Sequence, residues 1–215
     1  FLFMGIVGIS QMLVNSTIEE KGSRVYEVLL SSVSPTQLMA GKIVGICGVG
    51  FTLIALWTGG GVAAAAIQGY GDIVSGGQIG LFVAYYVLGF LMIASLFVAV
   101  GSACNTIKEA QNLMAPISIF LVLPLLMSTM ILDDPSGPLA RVLSFIPPFT
   151  PVVMMMRIAS VPAPPATEVW AAFLLLVLAT WLMVRLAARI FRVGILMHGQ
   201  PPNLFQILKW LWRKD

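Results

Sequence analysis

The amino-acid sequence specifies an all-α, polytopic membrane bundle, and three features carry that reading. Of 215 residues, 59% are hydrophobic and only 10% charged, against roughly 25% charged in soluble domains, which need a charged exterior to stay in water. The chain is therefore expected to use lipid as part of its solvent. Its apolar residues also fall in long runs without charge: Phe1 to Ile18, Ile43 to Tyr70, Ile73 to Ile107, Gln111 to Leu132 and Val169 to Val184. A helix satisfies its own peptide groups and needs about 20 apolar residues to cross hydrocarbon. Finally, none of the runs shows the alternation of a barrel strand. Five spans are expected, at about 1–15, 41–67, 79–103, 113–132 and 168–190.

Charge placement orients them. Lys21, Arg24, Lys42, Lys108, Arg185, Arg189, Arg192, Lys209, Arg213 and Lys214, ten of the 12 basic residues, fall on one side. Arg141 and Arg157 fall on the other, with Asp72, Asp133, Asp134 and Glu168. By the positive-inside rule the basic side is cytoplasmic. The stems of the arginines after Val184 reach for the headgroups. Five spans that end inside must start outside, so a segment upstream of Phe1 is expected.

Between the first two spans, Ser16 and Thr17 each precede a glutamate by three residues, Glu19 and Glu20, the pattern of a capping box at a helix start. Glu20 and Arg24 are spaced for a helical pair. An amphipathic helix over 17–32, lying on the cytoplasmic membrane surface, follows. Ser34-Pro35-Thr36-Gln37 then reads as the cap and first turn of the helix that becomes the second span. The proline-dense stretch 133–166 is too short and broken to span, and its Phe145–Ser160 part predicts a re-entrant or interfacial hairpin. In the tail, Leu204, Ile207, Leu208, Leu211 and Trp212 form a helical stripe opposite Lys209 and Arg213, a membrane-surface helix. The expected organisation is a transmembrane domain over 1–192 and a cytoplasmic tail over 193–215.

Few residues suit chemistry. Glu19-Glu20-Lys21-Gly22-Ser23-Arg24 matches the E-E-x-x-x-R string of intramembrane CAAX-type proteases, but such a site needs further histidines and this chain has His198 alone. Neither Cys47 nor Cys104 has a partner at zinc spacing. Gly41-Lys42 lacks the rest of a phosphate loop, since Thr36 stands where its first glycine belongs and Ile43 where Ser or Thr should follow. No catalytic, cofactor or metal residue is assigned, and nucleic acid is not an expected partner. Gly59-Gly60-Gly61, and Gly41 with Gly45 and Gly48, are expected to permit close helix packing. The run Met154-Met155-Met156 suits packing or a pliable substrate-facing surface. The span interiors hold no Asp, Glu, Lys, Arg or His, which argues against an ion-coupled carrier.

The segment Glu20-Lys21-x-Ser23-Arg24-Val25-x-Glu27-Val28-Leu29-Leu30-Ser31-Ser32-Val33-Ser34-Pro35-x-Gln37-Leu38-Met39-x-Gly41-Lys42 resembles the signature of ABC type-2 transporter permeases of the sodium, drug and lipid efflux kind. Ile146-Pro147-Pro148-Phe149-Thr150-Pro151, leading to Arg157, is similar to that family's extracytoplasmic motif before its last span. The resemblance implies a permease subunit of an ATP-driven exporter in the cell membrane, the inner membrane of a bacterium, with its C-terminus cytoplasmic. ATP and magnesium would be held by a separate ABC ATPase subunit. The other expected partners are a second permease copy and membrane lipid. Glu19, Glu20, Lys21, Ser23, Arg24, Glu27, Leu29 and Leu30 would form the helix that couples to the ATPase. Pro147, Pro148, Phe149, Thr150, Pro151 and Arg157 would form the re-entrant motif. A first span and often an extracytoplasmic domain precede this part in that family. A non-transporting membrane scaffold subunit is the alternative reading.

Overall fold

The computed structural model describes residues 2–23, 28–29, 31–69 and 76–194. Their helices are α1 Leu2–Gly22, α2 Pro35–Ile67, α3 Gly76–Ala103, α4 Ile107–Leu126, α5 Ser128–Asp133, α6 Pro138–Ser144, α7 Thr150–Ile158 and α8 Ala166–Gly194. No strand occurs among the described residues. By length and composition, four stretches can cross a membrane: Pro35–Ile67, Gly76–Ala103, Ile107–Asp133 and Ala166–Gly194. The remaining expected span, about 1–15, falls on α1. The tail helix expected after residue 203 lies outside the described residues.

The chain runs up and down, so that one end of the bundle gathers the close of α1, α3 and α8 and the start of α2 and α4. We call it the Lys21 end and the opposite one the Arg157 end. The cap expected at Ser34 is present. Ser34 is extended (φ −72°, ψ 153°), its Oγ accepts from the Gln37 amide, and the Gln37 side chain accepts from the Ser34 amide. Thr106 and Glu109 make a second capping box at the start of α4, a signature of the same form.

The box expected at Ser16 and Thr17 is not formed, and this corrects the boundary of the 17–32 helix. Residues 17–22 are the last turns of α1. Nothing in 2–21 lacks an amide hydrogen, and Ser16 returns its hydroxyl to the Leu13 carbonyl at 3.2 Å, the bond a serine makes inside a helix. Thr17 is fully buried. The fourth span also differs from expectation. Its helix carries Pro116 and Pro124 internally and breaks at Met127. Pro124 supplies no amide to the ladder and crowds the preceding turn.

α3 is the central element, packed along α1 and α8 and touched by α2, α4 and α7. Its Tyr85, Phe97 and Val98 are fully enclosed. In lipid an apolar side chain gains little by leaving one apolar environment for another, so close backbone approach and interhelical hydrogen bonds hold such bundles. Gly101 supplies the approach to α1, since a Cβ there would lie 3.1 Å from the Val14 Cα. Gly89 supplies it to α7, where a Cβ would lie 2.5 Å from the Pro151 Cγ. Tyr85 donates to the Val169 carbonyl at 2.6 Å and Thr180 to the Leu88 carbonyl at 3.3 Å, both tying α3 to α8. The glycines expected to permit close packing make no close contact within this chain: Gly41, Gly45, Gly48 and Gly59 to Gly61 have nothing near a would-be Cβ. α2 turns most of its surface outward, and large apolar residues such as Phe51, Leu56, Ile119, Leu174 and Leu178 are exposed. Arg185 lies over the Trp181 ring, 4.1 Å from its centroid.

Candidate functional site

Of the expected coupling residues, Glu20 and Lys21 make the contacts at the Lys21 end. Lys21 is buried, and its ammonium donates to the carbonyls of Gly194 (2.8 Å), Ser102 (3.0 Å) and Cys104 (3.4 Å). Gly194 ends α8, and Ser102 and Cys104 bracket the end of α3. These are the carbonyls that a helix leaves without intrahelical partners, and they carry the negative end of its dipole. A lysine with three donors satisfies one at each bond. Beside it, Glu20 pairs with Lys42 of α2 at 2.8 Å, and Lys42 also donates to the Thr17 hydroxyl at 3.5 Å. α1 is thus tied to α2, α3 and α8 within two consecutive residues.

Of the other residues in that set, Glu19 and Ser23 are exposed. Ser23 donates its hydroxyl to the Glu20 carbonyl at 3.2 Å, and Leu29 is half-buried. Arg24, Glu27 and Leu30 lie outside the described residues, as does any pairing of Glu20 with Arg24. Cys104 sits against this cluster with no exposed surface. Burial pushes its thiol up to about 11, Glu109 adds to the rise and Lys21 opposes it.

At the opposite end the expected re-entrant motif forms a helical hairpin, α6 and α7, centred on Arg157. Its guanidinium is wholly buried and donates to the Pro135 carbonyl (2.6 Å), the Ser144 hydroxyl (3.0 Å) and the Glu168 carboxylate (2.6 Å). Glu168 also pairs with Arg141 at 3.3 Å. One side chain therefore staples the turn before α6, α6 itself and the first turn of α8 onto α7. Arginine suits this because its planar fork offers donors in several fixed directions. Thr150 is buried and donates to the Ser144 and Ile146 carbonyls. Phe149 packs on Phe120 with ring centres 4.6 Å apart, and Pro151 fills the notch left by Gly89. Pro147 and Pro148 are half-buried.

Two apolar cavities lie between this hairpin and the long helices. One, of about 390 Å³, is lined by residues including Phe3, Phe82, Tyr86, Met155 and Met156. A larger one of about 730 Å³ shares Trp57, Phe82 and Met155 and continues to Gln78 and Ser160. Met154 is fully buried, so the methionine run divides between packing and cavity lining. Such walls suit an apolar guest rather than chemistry. Among the described residues no cluster of His, Cys, Asp and Glu is arranged for a metal.

The partners of the recognised residues escaped sequence reasoning. Ser102 and Gly194 around the first motif, and Ser144, Pro135 and Glu168 around the second, carried no individual signal, while Lys42 and Thr17 were marked for other reasons, as the end of the signature and as part of a capping box. Glu168 was marked only by its side of the membrane.

Residues 1–189 match a family described as ABC-2 family transporter protein. The chain is 31% identical to the uncharacterized protein MJ1024 of Methanocaldococcus jannaschii, over 99% of this chain and 52% of that protein. It is 28% identical to the uncharacterized protein YhaP of Bacillus subtilis, over 97% of this chain and 52% of that one. The chain thus spans about half the length of the curated relatives it matches. No solved structure matches it at a significant level. With 189 residues in a single match, and a multi-pass helical bundle to go with it, the chain belongs to the ABC-2 transporter protein family.

Proposed function

We propose that this chain is the permease part of an ATP-driven exporter, with α1 as the first of five crossings and the Lys21 end in the cytoplasm. A separate ABC ATPase grips the segment from Glu19 to Ser32. Two permease copies face each other, and closure of their ATPases pushes on these segments and tilts the bundles to open an outward path. The α6–α7 hairpin caps the outer end. ATP and magnesium stay with the ATPase, and the membrane is the inner membrane of a bacterium.

The observation that carries this reading is where the recognised segment begins. Its first residues, Glu20 and Lys21, are bonded to three other long helices, so a push applied just beyond them reaches the bundle through fixed contacts. The test is reconstitution with the ATPase after replacing Arg24 and Glu27 together. Binding and stimulation of the ATPase are expected to fall. Unchanged coupling would remove the assignment.

A further inference from the structure

We propose that Lys21 is a positioning residue: its ammonium latches the ends of α1, α3 and α8 into one unit, so that displacement of the segment after α1 carries α3 and α8 with it. The consequence for transport rests on the coupling role proposed above; the latch itself does not.

Lys21 reaches across more than 80 residues of sequence to α3 and across more than 170 to α8. All three of its acceptors are backbone carbonyls at helix ends, so its bonds do not depend on which side chains the neighbours carry. Two helix C-termini side by side present like partial charges, and a cation between them offsets their repulsion. The close approach is built into the sequence as well. A Cβ on Gly194 would lie 2.8 Å from the Ser102 carbonyl oxygen, the atom that Lys21 also holds. One residue before Ser102, Gly101 lets the Val14 backbone of α1 touch α3. The neighbouring cation has different duties: Lys42 pairs with Glu20 and bonds Thr17, which concerns α2. Lys21 and Lys42 therefore join different helices to α1.

Hydrogen exchange on the full-length protein in lipid nanodiscs tests the latch without any ATPase. In Lys21→Met, amides in the last turns of α3 and α8 should exchange about tenfold faster, because their closing carbonyls lose a partner and the turns fray. Amides at 76–85 and 166–176 should not change, and Lys21→Arg, which keeps a cation with several donors, should retain protection. Gly194→Ala keeps the lysine but separates the two helix ends, and should loosen the same turns; this arm also decides the matter if Lys21→Met does not fold. Unaltered exchange in both variants overturns the latch. In the complex with its ATPase, Lys21→Met should still bind the ATPase but lose stimulation several-fold, and Lys21→Arg should recover it. Frayed turns with full stimulation would overturn the positioning role. A wild-type chain that shows Lys21-dependent protection yet neither binds nor stimulates an ATPase would overturn the coupling reading and leave the latch standing.

Discussion

Replacing Arg157 by methionine keeps much of the side-chain volume in α7 while removing a cation that no solvent reaches. Three groups lose their donor: the Pro135 carbonyl, the Ser144 hydroxyl and the Glu168 carboxylate. Ser144 keeps its own bond to the Ala140 carbonyl, and Glu168 keeps Arg141, but that second arginine is half-exposed and counts as a rim pair. Breaking a buried ion pair by deleting one partner costs about 3–5 kcal/mol. For a chain of this size each kcal/mol lowers the melting temperature by roughly 2–4 °C, so the loss should reach roughly 6–20 °C. Thermal unfolding in detergent can be followed with a thiol-reactive dye in a Cys47→Ser background, where Cys104, fully buried, reports opening of the fold. Adding Glu168→Gln should return roughly 1–2 kcal/mol, because no orphaned carboxylate then remains. A single-variant cost under about 1 kcal/mol, the range of exposed pairs, would refute the view that Arg157 holds the hairpin together.

Gly101→Ala should destabilise the fold by about 1–3 kcal/mol, since the added methyl meets the Val14 backbone and cannot push it aside. Gly45→Ala, on the outward face of α2, should be neutral or slightly stabilising through helix propensity alone. The same melting assay separates the two. Ser34→Ala should cost about 1 kcal/mol by removing the cap of α2, and Ser34→Asn should restore it. Cys104 should alkylate very slowly at neutral pH, its rate still climbing toward pH 11 where an ordinary cysteine levels off near 8.5. A thiol raised in the fold contributes stability that is full below about 8.5 and lost as the pH rises toward 11. Mass spectrometry of the alkylated protein in nondenaturing detergent reads this profile.

Much of the architecture was legible because lipid imposes a simple rule, that long charge-free runs become helices. The expected spans from 41–67 onward fall inside α2, α3, the α4–α5 stretch and α8, and Ser34-Pro35-Thr36-Gln37 marked a helix start that local hydrogen bonds alone dictate. The same local pattern misled at Ser16 and Thr17. A capping box forms only where the chain enters a helix, and burial of Thr17 against neighbouring helices keeps α1 running through it. The glycine readings missed the close contacts within this chain for a related reason. Gly41, Gly45 and Gly48 look like packing residues, yet which face of α2 meets the bundle is set by its neighbours, while Gly89, Gly101 and Gly194 make the close contacts without a spaced motif. Around the candidate sites the sequence named Lys21 and Arg157. Their acceptors are mostly backbone carbonyls, which leave no trace in residue identity.

The claim that matters most is that this chain is passive and is moved by a partner acting through residues 19–32. ATP turnover measured in vesicles holding the chain alone, the ATPase alone and both together tests it directly. The account predicts no hydrolysis from the chain by itself and stimulated hydrolysis from the pair, reduced when Arg24 and Glu27 are replaced. Hydrolysis or pumping by the chain unaided, or a pair no more active than the ATPase alone, would contradict it.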